Sequence, residues 1–301
     1  MQRSWLILVL LLVLAGGVAW FVTTPVRVPA TELPPHTPDF DNGRTMFNAG
    51  GCASCHAPNQ QERTRLGGGT ALKSPFGTFY SPNISPHPVD GIGGWSEADF
   101  VTAIWKGSSP AGLHYYPVFP YTSYQRMRLS DIRDLFAYLQ GLPPVQGRVR
   151  DHDLPFYLRV RRLLGAWKFL FLDGQTFSAD PSQSAQWNRG AYLVNGPAHC
   201  AECHSPRNAL GAIVPSRRFA GGPDPEGSGG SIPNITQAGT GDYTEEDIVR
   251  VLESGDLPNG DSVGGAMRAV VRNTAELSPA DRQAIAAYIK SLPPVEGQKP
   301  K

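Results

Sequence analysis

Cysteine, methionine and unbalanced charge are all scarce in this chain. It has four cysteines and four methionines in 301 residues. The cysteines fall within two short motifs, Cys52-Ala53-Ser54-Cys55-His56 and Cys200-Ala201-Glu202-Cys203-His204, so no thiol is left for a disulfide framework or a further Cys-rich metal site. Lys and Arg number 27 against 26 Asp and Glu, a net charge of +1. That balance gives no global argument for nucleic-acid binding. No stretch reads as a flavin-, quinoprotein- or molybdenum-binding unit. Oxidation of an organic substrate would therefore belong to a partner chain.

What is present is the Cys-x-x-Cys-His motif, twice. Two cysteines followed at once by histidine is the signature of covalent haem attachment, with each thiol forming a thioether and the imidazole becoming the proximal iron ligand. The expectation is two covalently bound haem c groups, on Cys52, Cys55 and His56 and on Cys200, Cys203 and His204. The competing structural reading pairs the two Cys-x-x-Cys units around zinc. Such halves normally lie within about 15 to 20 residues of each other, whereas Cys52 and Cys200 are 148 positions apart.

The one long apolar run is WLILVLLLVLAGGVAWFV, Trp5 to Val22, with no charged side chain in 18 positions. It is near the lower limit for a bilayer-spanning helix, with Trp5 and Trp20 where interfacial aromatics belong and Arg3 ahead of it. A single pass is expected, N-terminus inside, with the body on the extracytoplasmic, periplasmic side of the cytoplasmic membrane. A cleavable signal peptide ending near Gly17-Val18-Ala19 is the competing reading. The next stretch, 23–40, has five prolines and no hydrophobic period, and reads as a semi-rigid stalk holding the rest off the membrane, with His36 solvated.

Beyond it the chain repeats. GRTMFNAGGCASCH, SPNI, WSEADFVTAIWKG, Met127 and LSDIRDLFAYLQGLPPV are followed in the same order by GAYLVNGPAHCAECH, IPNI, YTEEDIVRVLESG, Met267 and LSPADRQAIAAYIKSLPPV. Tandem duplication accounts for this order. Each copy predicts three helices: one leading into the motif, one capped by Ser96 or Thr244 with Asp99 or Asp247 completing the capping box, and one starting at Ser130 or Ser278. The expected fold class is mainly α, two tandem domains after an N-terminal transmembrane helix. The expected boundaries are 1–22 anchor, 23–40 stalk, 41–147 first domain, 148–186 linker and 187–297 second domain.

Elimination leaves one methionine per copy as the sixth iron ligand. Met1 is the initiator and Met46 reads as core; Met127 and Met267 follow their histidines by 71 and 63 residues. His114 is the best competitor at the first iron, while His87 lies in a loop expected to be exposed. Asn83 and Asn234 suit either a haem-edge contact or a turn. Arg207 suits either a haem propionate or the surface. In the linker, Val160, Leu163, Leu164, Trp167, Leu170 and Phe171 form an apolar stripe, with Arg159, Arg161, Arg162 and Lys168 outside it. It reads either as a helix packed between the domains or as a docking surface for a headgroup layer or partner subunit, buried in both cases.

The order of helix, motif, loops, methionine and terminal helix resembles class I cytochrome c. The tandem arrangement resembles the membrane-bound cytochrome c subunits of periplasmic alcohol, aldehyde and gluconate dehydrogenases. The resemblance rests on GCASCH, SPNISPHPVDGIGGWSEADF, YYPVFPYTSYQRM, WNRGAYLVNGPAHCAECHSPRN and LSPADRQAIAAYIKSLPP. Those subunits commonly carry three haems, against two motifs here, and some carry their ligand in a PxMPY segment where this chain has Phe119. The resemblance implies a non-enzymatic electron-transfer subunit, fed by a periplasmic dehydrogenase and discharging to a quinone, a terminal oxidase or a downstream cytochrome. A dihaem enzyme such as a cytochrome c peroxidase is the alternative.

Overall fold

The computed structural model describes residues 2–59, 61–224 and 230–297; Met1 lies outside them. The apolar run forms α1 (Gln2–Val22). From Ser4 to Val22 its mean hydropathy is 2.7 and none of it is buried, so by length and composition it can cross a membrane.

The proline-rich segment that follows does not stand free. Val28 N–H donates to Thr102 Oγ1 (3.0 Å), Arg133 donates to Pro34 O (2.5 Å), and His36 Nε2 lies 2.6 Å from Asp134 Oδ1. Proline keeps the backbone extended, but these contacts make it a strap along the first repeat. His36, expected in solvent, is a half-buried hydrogen-bond partner of Asp134 instead. Burial alone would raise Asp134, yet bonds from Asp39 N–H, Asn42 and His36 hold its carboxyl below the ordinary value.

The first repeat runs through α2 (Phe40–Ala49), α3 (Cys52–His56), a hairpin of β1 (Ala71–Ser74) and β2 (Gly77–Tyr80), α4 (Glu97–Lys106), α5 (Tyr121–Tyr124) and α6 (Leu129–Gln140). Linker helix α7 is Leu163–Phe171. The second repeat has α8 (Ala185–Asn195), α9 (Ala201–His204), a short hairpin of β3 (Gly222–Pro223) and β4 (Ser231–Ile232), α10 (Gln237–Thr240), α11 (Glu245–Glu253), α12 (Met267–Thr274) and α13 (Pro279–Ser291). Both capping boxes form, Ser96 with Asp99 and Thr244 with Asp247. Helix α6 begins one residue ahead of Ser130, whose hydroxyl turns to Asp131 (3.3 Å) rather than capping.

In each repeat the first helix crosses the last, α2 on α6 and α8 on α13. A glycine at each crossing lets the backbones meet. A Cβ on Gly43 would sit 2.3 Å from Asp134 O, and one on Gly190 1.8 Å from Ala284 O. One cluster of buried side chains runs through both repeats, including Met46, Phe47, Leu135 and Leu139 from the first and Tyr192, Leu193, Ile285 and Ile289 from the second.

The linker helix packs against the rest of the chain with part of its stripe only: Leu164, Trp167 and Phe171 are half-buried, while Val160, Leu163 and Leu170 are exposed. Lys168, expected outside, points in. Its Nζ donates to Lys106 O (2.6 Å) and Gly107 O (2.5 Å), carbonyls that the end of α4 leaves without helical partners. Burial pulls Lys168 down to about 7.

Candidate haem-binding sites

Each motif opens from a left-handed residue, Gly51 (φ 59°) before α3 and His199 (φ 40°) before Cys200. Glycine takes this conformation freely, whereas a histidine takes it at a cost of about 1–3 kcal/mol. The His199 ring recovers contact across the repeats, 5.5 Å from that of Tyr124, with Nε2 3.3 Å from Gly50 O. It is therefore an interface residue.

The two motif histidines are held alike. His56 Nδ1 lies 2.7 Å from Pro82 O, and His204 Nδ1 lies 2.8 Å from Pro233 O. A carbonyl can only accept, so each Nδ1 carries the proton and each Nε2 keeps its lone pair. Burial pulls His56 down to about 4 against the opposing effect of the Pro82 carbonyl, and His204 is lowered for the same reason. Both rings are neutral at physiological pH, as an iron ligand requires. Burial, with Cys55 or Cys203 beside them, raises Cys52 and Cys200 to about 12. A redox dithiol of the Cys-x-x-Cys type has the opposite shift. Among the described residues no three His, Cys, Asp or Glu side chains gather as a zinc site would need. The donor set thus fits haem c: two thiols and one oriented imidazole per repeat.

The acceptor carbonyls belong to the Pro-Asn-Ile segments. Asn83 accepts from Ser85 N (2.9 Å) and donates to Val145 O (2.7 Å). Asn234 accepts from Thr236 N (2.8 Å) and donates to Val295 O (2.8 Å). Both close a turn and tie it to the tail after the last helix, which fixes the carbonyl that orients the histidine. The repeated PNI pattern carried that signal, but the functional atom is a backbone oxygen.

The variable residue before the second cysteine also does something sequence reasoning missed. In the first motif Ser54 Oγ accepts from Asn273 Nδ2 on α12 (2.7 Å). In the second motif Glu202 Oε1 accepts from Thr122 Oγ1 (2.8 Å) and Ser123 Oγ (2.7 Å) on α5. Each motif therefore touches the methionine-bearing segment of the opposite repeat, and the two candidate sites share one interface. Arg207 is half-buried beside the second motif. It pairs with Glu202 Oε2 (2.8 Å). Burial works against the Glu202 carboxylate, but Arg207 and the two hydroxyls bring it below its ordinary value.

Of the candidate sixth ligands, Met127 is 1% exposed and Met267 is half-buried at the start of α12. Trp105 Nε1 donates to Met127 O (2.9 Å), fixing the backbone there. His114 is buried with Nε2 2.9 Å from Thr23 O, at the foot of α1. Half-buried His87 accepts from Asp90 N (3.0 Å) within its own loop, and Met46 lies in the core.

The family model described as cytochrome c matches residues 40–143 and 188–293. A diheme cytochrome c-type protein of Cereibacter sphaeroides is 46% identical over 98% of this chain and 100% of its own length. The fructose dehydrogenase cytochrome subunit of Gluconobacter japonicus is 34% identical over 90% of this chain and 56% of its own. The alcohol dehydrogenase (quinone) cytochrome c subunit of Gluconacetobacter polyoxogenes is 36% identical over 86% and 58%. The chain thus spans a little over half the length of those two dehydrogenase subunits. Two repeats that each present a thiol pair and an oriented imidazole, matched by this family model and these relatives, place the chain in the cytochrome c family.

Proposed function

We propose that the protein is a membrane-anchored dihaem cytochrome c that takes electrons from a periplasmic dehydrogenase subunit and passes them to a quinone, an oxidase or another cytochrome. The observation that carries the reading is the paired geometry of His56 on Pro82 O and His204 on Pro233 O. Cys52, Cys55, Cys200 and Cys203 are the thioether positions, His56 and His204 the proximal ligands, and Met127 and Met267 the distal ligands. Each haem, when bound, supplies one-electron exchange between ferric and ferrous iron. The chain's part is to hold that exchange in place. Prolyl carbonyls orient the imidazoles, the methionine sulfurs of Met127 and Met267 would hold the iron as second ligands, and the interface of Ser54, Asn273, Glu202 and Thr122 keeps the repeats in fixed relation. Two protein ligands per iron leave no position for a substrate, which favours electron transfer over chemistry at iron.

The named relatives support the donor class, since two are cytochrome subunits of dehydrogenases acting on fructose and on alcohol. They give the dihaem peroxidase alternative no support. Helix α1 supports anchoring, with the body on the periplasmic side.

The test is co-purification of the tagged full-length protein from membranes in mild detergent, followed by addition of the dehydrogenase's substrate. A stoichiometric dehydrogenase whose substrate reduces both haems is expected. A protein recovered alone that turns over peroxide would overturn the reading.

A further inference from the structure

The side of α7 that Lys168 does not occupy is apolar and open. Leu163 and Leu170 lie on one helical face, i and i+7, with Ala166 between them and Phe169 alongside. Phe169 is 72% exposed, and Phe156, in the turn before α7, is 83% exposed; Tyr157, Val160, Leu163 and Leu170 are all more than half exposed. Soluble surfaces seldom leave so many large apolar groups together without a covering layer.

The position of this face says what covers it. Helix α7 is fastened to the C-terminal end of α1. Arg162 donates to Trp20 O (2.8 Å), Thr23 Oγ1 (2.9 Å) and Thr24 Oγ1 (2.9 Å), and its guanidinium lies 4.1 Å from the Trp20 ring centre. Gly165 brings the backbones together, since a Cβ there would meet Thr23 Cα at 2.5 Å. Phe21 and Val26, at the same end of α1, are exposed as well, and exposed Arg159 stands next in sequence to Val160 on the turn before α7. Aromatic and aliphatic side chains mixed with arginine, at the mouth of a spanning helix, match the boundary between headgroups and acyl chains.

We propose that the exposed face of α7 and its preceding turn lies in the boundary layer of the phospholipid bilayer that α1 enters. It is a second membrane contact, which fixes the tilt of the haem repeats over the surface. The inference rests on α1 being an anchor in the mature protein, and the test separates the two.

The photoreactive residue p-benzoylphenylalanine replaces, one at a time, Phe169, Leu12 in the middle of α1, and Val89 on an exposed loop. Full-length haem-loaded protein is irradiated in isolated membranes and recovered by a tag, and its adducts are weighed. Haem absorbance unchanged from wild type confirms folding, which the exposure of Phe169 permits. Phospholipid adducts at 169 and at 12, with none at 89, are expected. Lipid at 12 but a protein adduct or none at 169 would overturn the inference while leaving the anchor intact. No lipid adduct at 12 would remove the anchor itself and this inference with it.

Discussion

Met127 and Met267 stand at matching points of the two repeats in unlike surroundings. Met127 is sealed in the core, follows α5 and has its carbonyl held by the Trp105 indole. At the position corresponding to Trp105 the second repeat has Glu253, which pairs with Arg282 (2.7 Å) and leaves the methionine segment alone. Met267 follows Gly264 and Gly265, the latter at φ 54°, and is only half-buried. The first repeat is also strapped by segment 23–40, and α7 closes the end of its α4 through Lys168, whereas on the second repeat α7 makes a hydrogen bond from Trp167 Nε1 to Leu210 O (2.9 Å). The same motif and the same oriented imidazole thus serve in a restrained repeat and a freer one. The freer one is expected to exchange its distal ligand more readily.

The largest effect expected from breaking this comparison is at the iron. Met127→Ala and Met267→Ala should each leave both haems covalently attached and open one of them to carbon monoxide, read by the ferrous absorption spectrum. Wild-type protein that binds carbon monoxide readily at both haems would rule out methionine ligation. In the wild type, added imidazole should displace one ligand faster than the other. The Met267→Ala variant should be the one that lacks the fast phase.

Next in size are the two helix crossings. Gly190→Ala and Gly43→Ala both force a methyl group into a backbone carbonyl, and overpacking of this kind costs about 1–3 kcal/mol or more. Gly190→Ala should be the worse, because its Cβ comes to 1.8 Å rather than 2.3 Å. Thermal unfolding of the two variants gives the order, and an inverted order would show that the crossings relax differently.

The interface comes third. Glu202→Gln removes the partner of Arg207 in a buried setting and should cost about 2 kcal/mol, against about 1 kcal/mol for Ser54→Ala, which loses a neutral hydrogen bond. Denaturant titration at neutral pH measures both. Equal losses would mean that the charge of Glu202 contributes nothing beyond its geometry.

The smallest effect is on acid stability, and it separates the repeats. Asp134 has its carboxyl held low, whereas its counterpart in the second repeat is Ala284. A lowered folded-state value means a contribution fully present above the ordinary aspartate value of 3.8 and lost as pH falls through the lower folded one. Asp134→Asn should flatten the stability of the first repeat against pH in that acid window and leave the second unchanged.

Much of this was legible in the chain. The two motifs, the capping boxes at Ser96 and Thr244, and the duplicated order follow from local rules that depend on neighbours in sequence. The pairing of each motif with the other repeat was not. Ser54 and Asn273 are 219 residues apart and Glu202 and Ser123 are 79 apart, and short polar side chains carry no period that marks their partners. Lys168 misled for a similar reason. A lysine on an amphipathic pattern reads as solvent-facing, and the carbonyls of Lys106 and Gly107, which have no helical partner at the end of α4, turn it inwards. His36 likewise reads as solvated until Asp134 is brought beside it.

The most direct test of two equivalent haem-bearing repeats is the intact mass of the purified protein, made in cells that attach haem c and measured under denaturing conditions. A mass equal to the mature chain plus two haems is the result expected. A mass with one haem or none would contradict the claim that both repeats, the restrained and the freer, bind the cofactor.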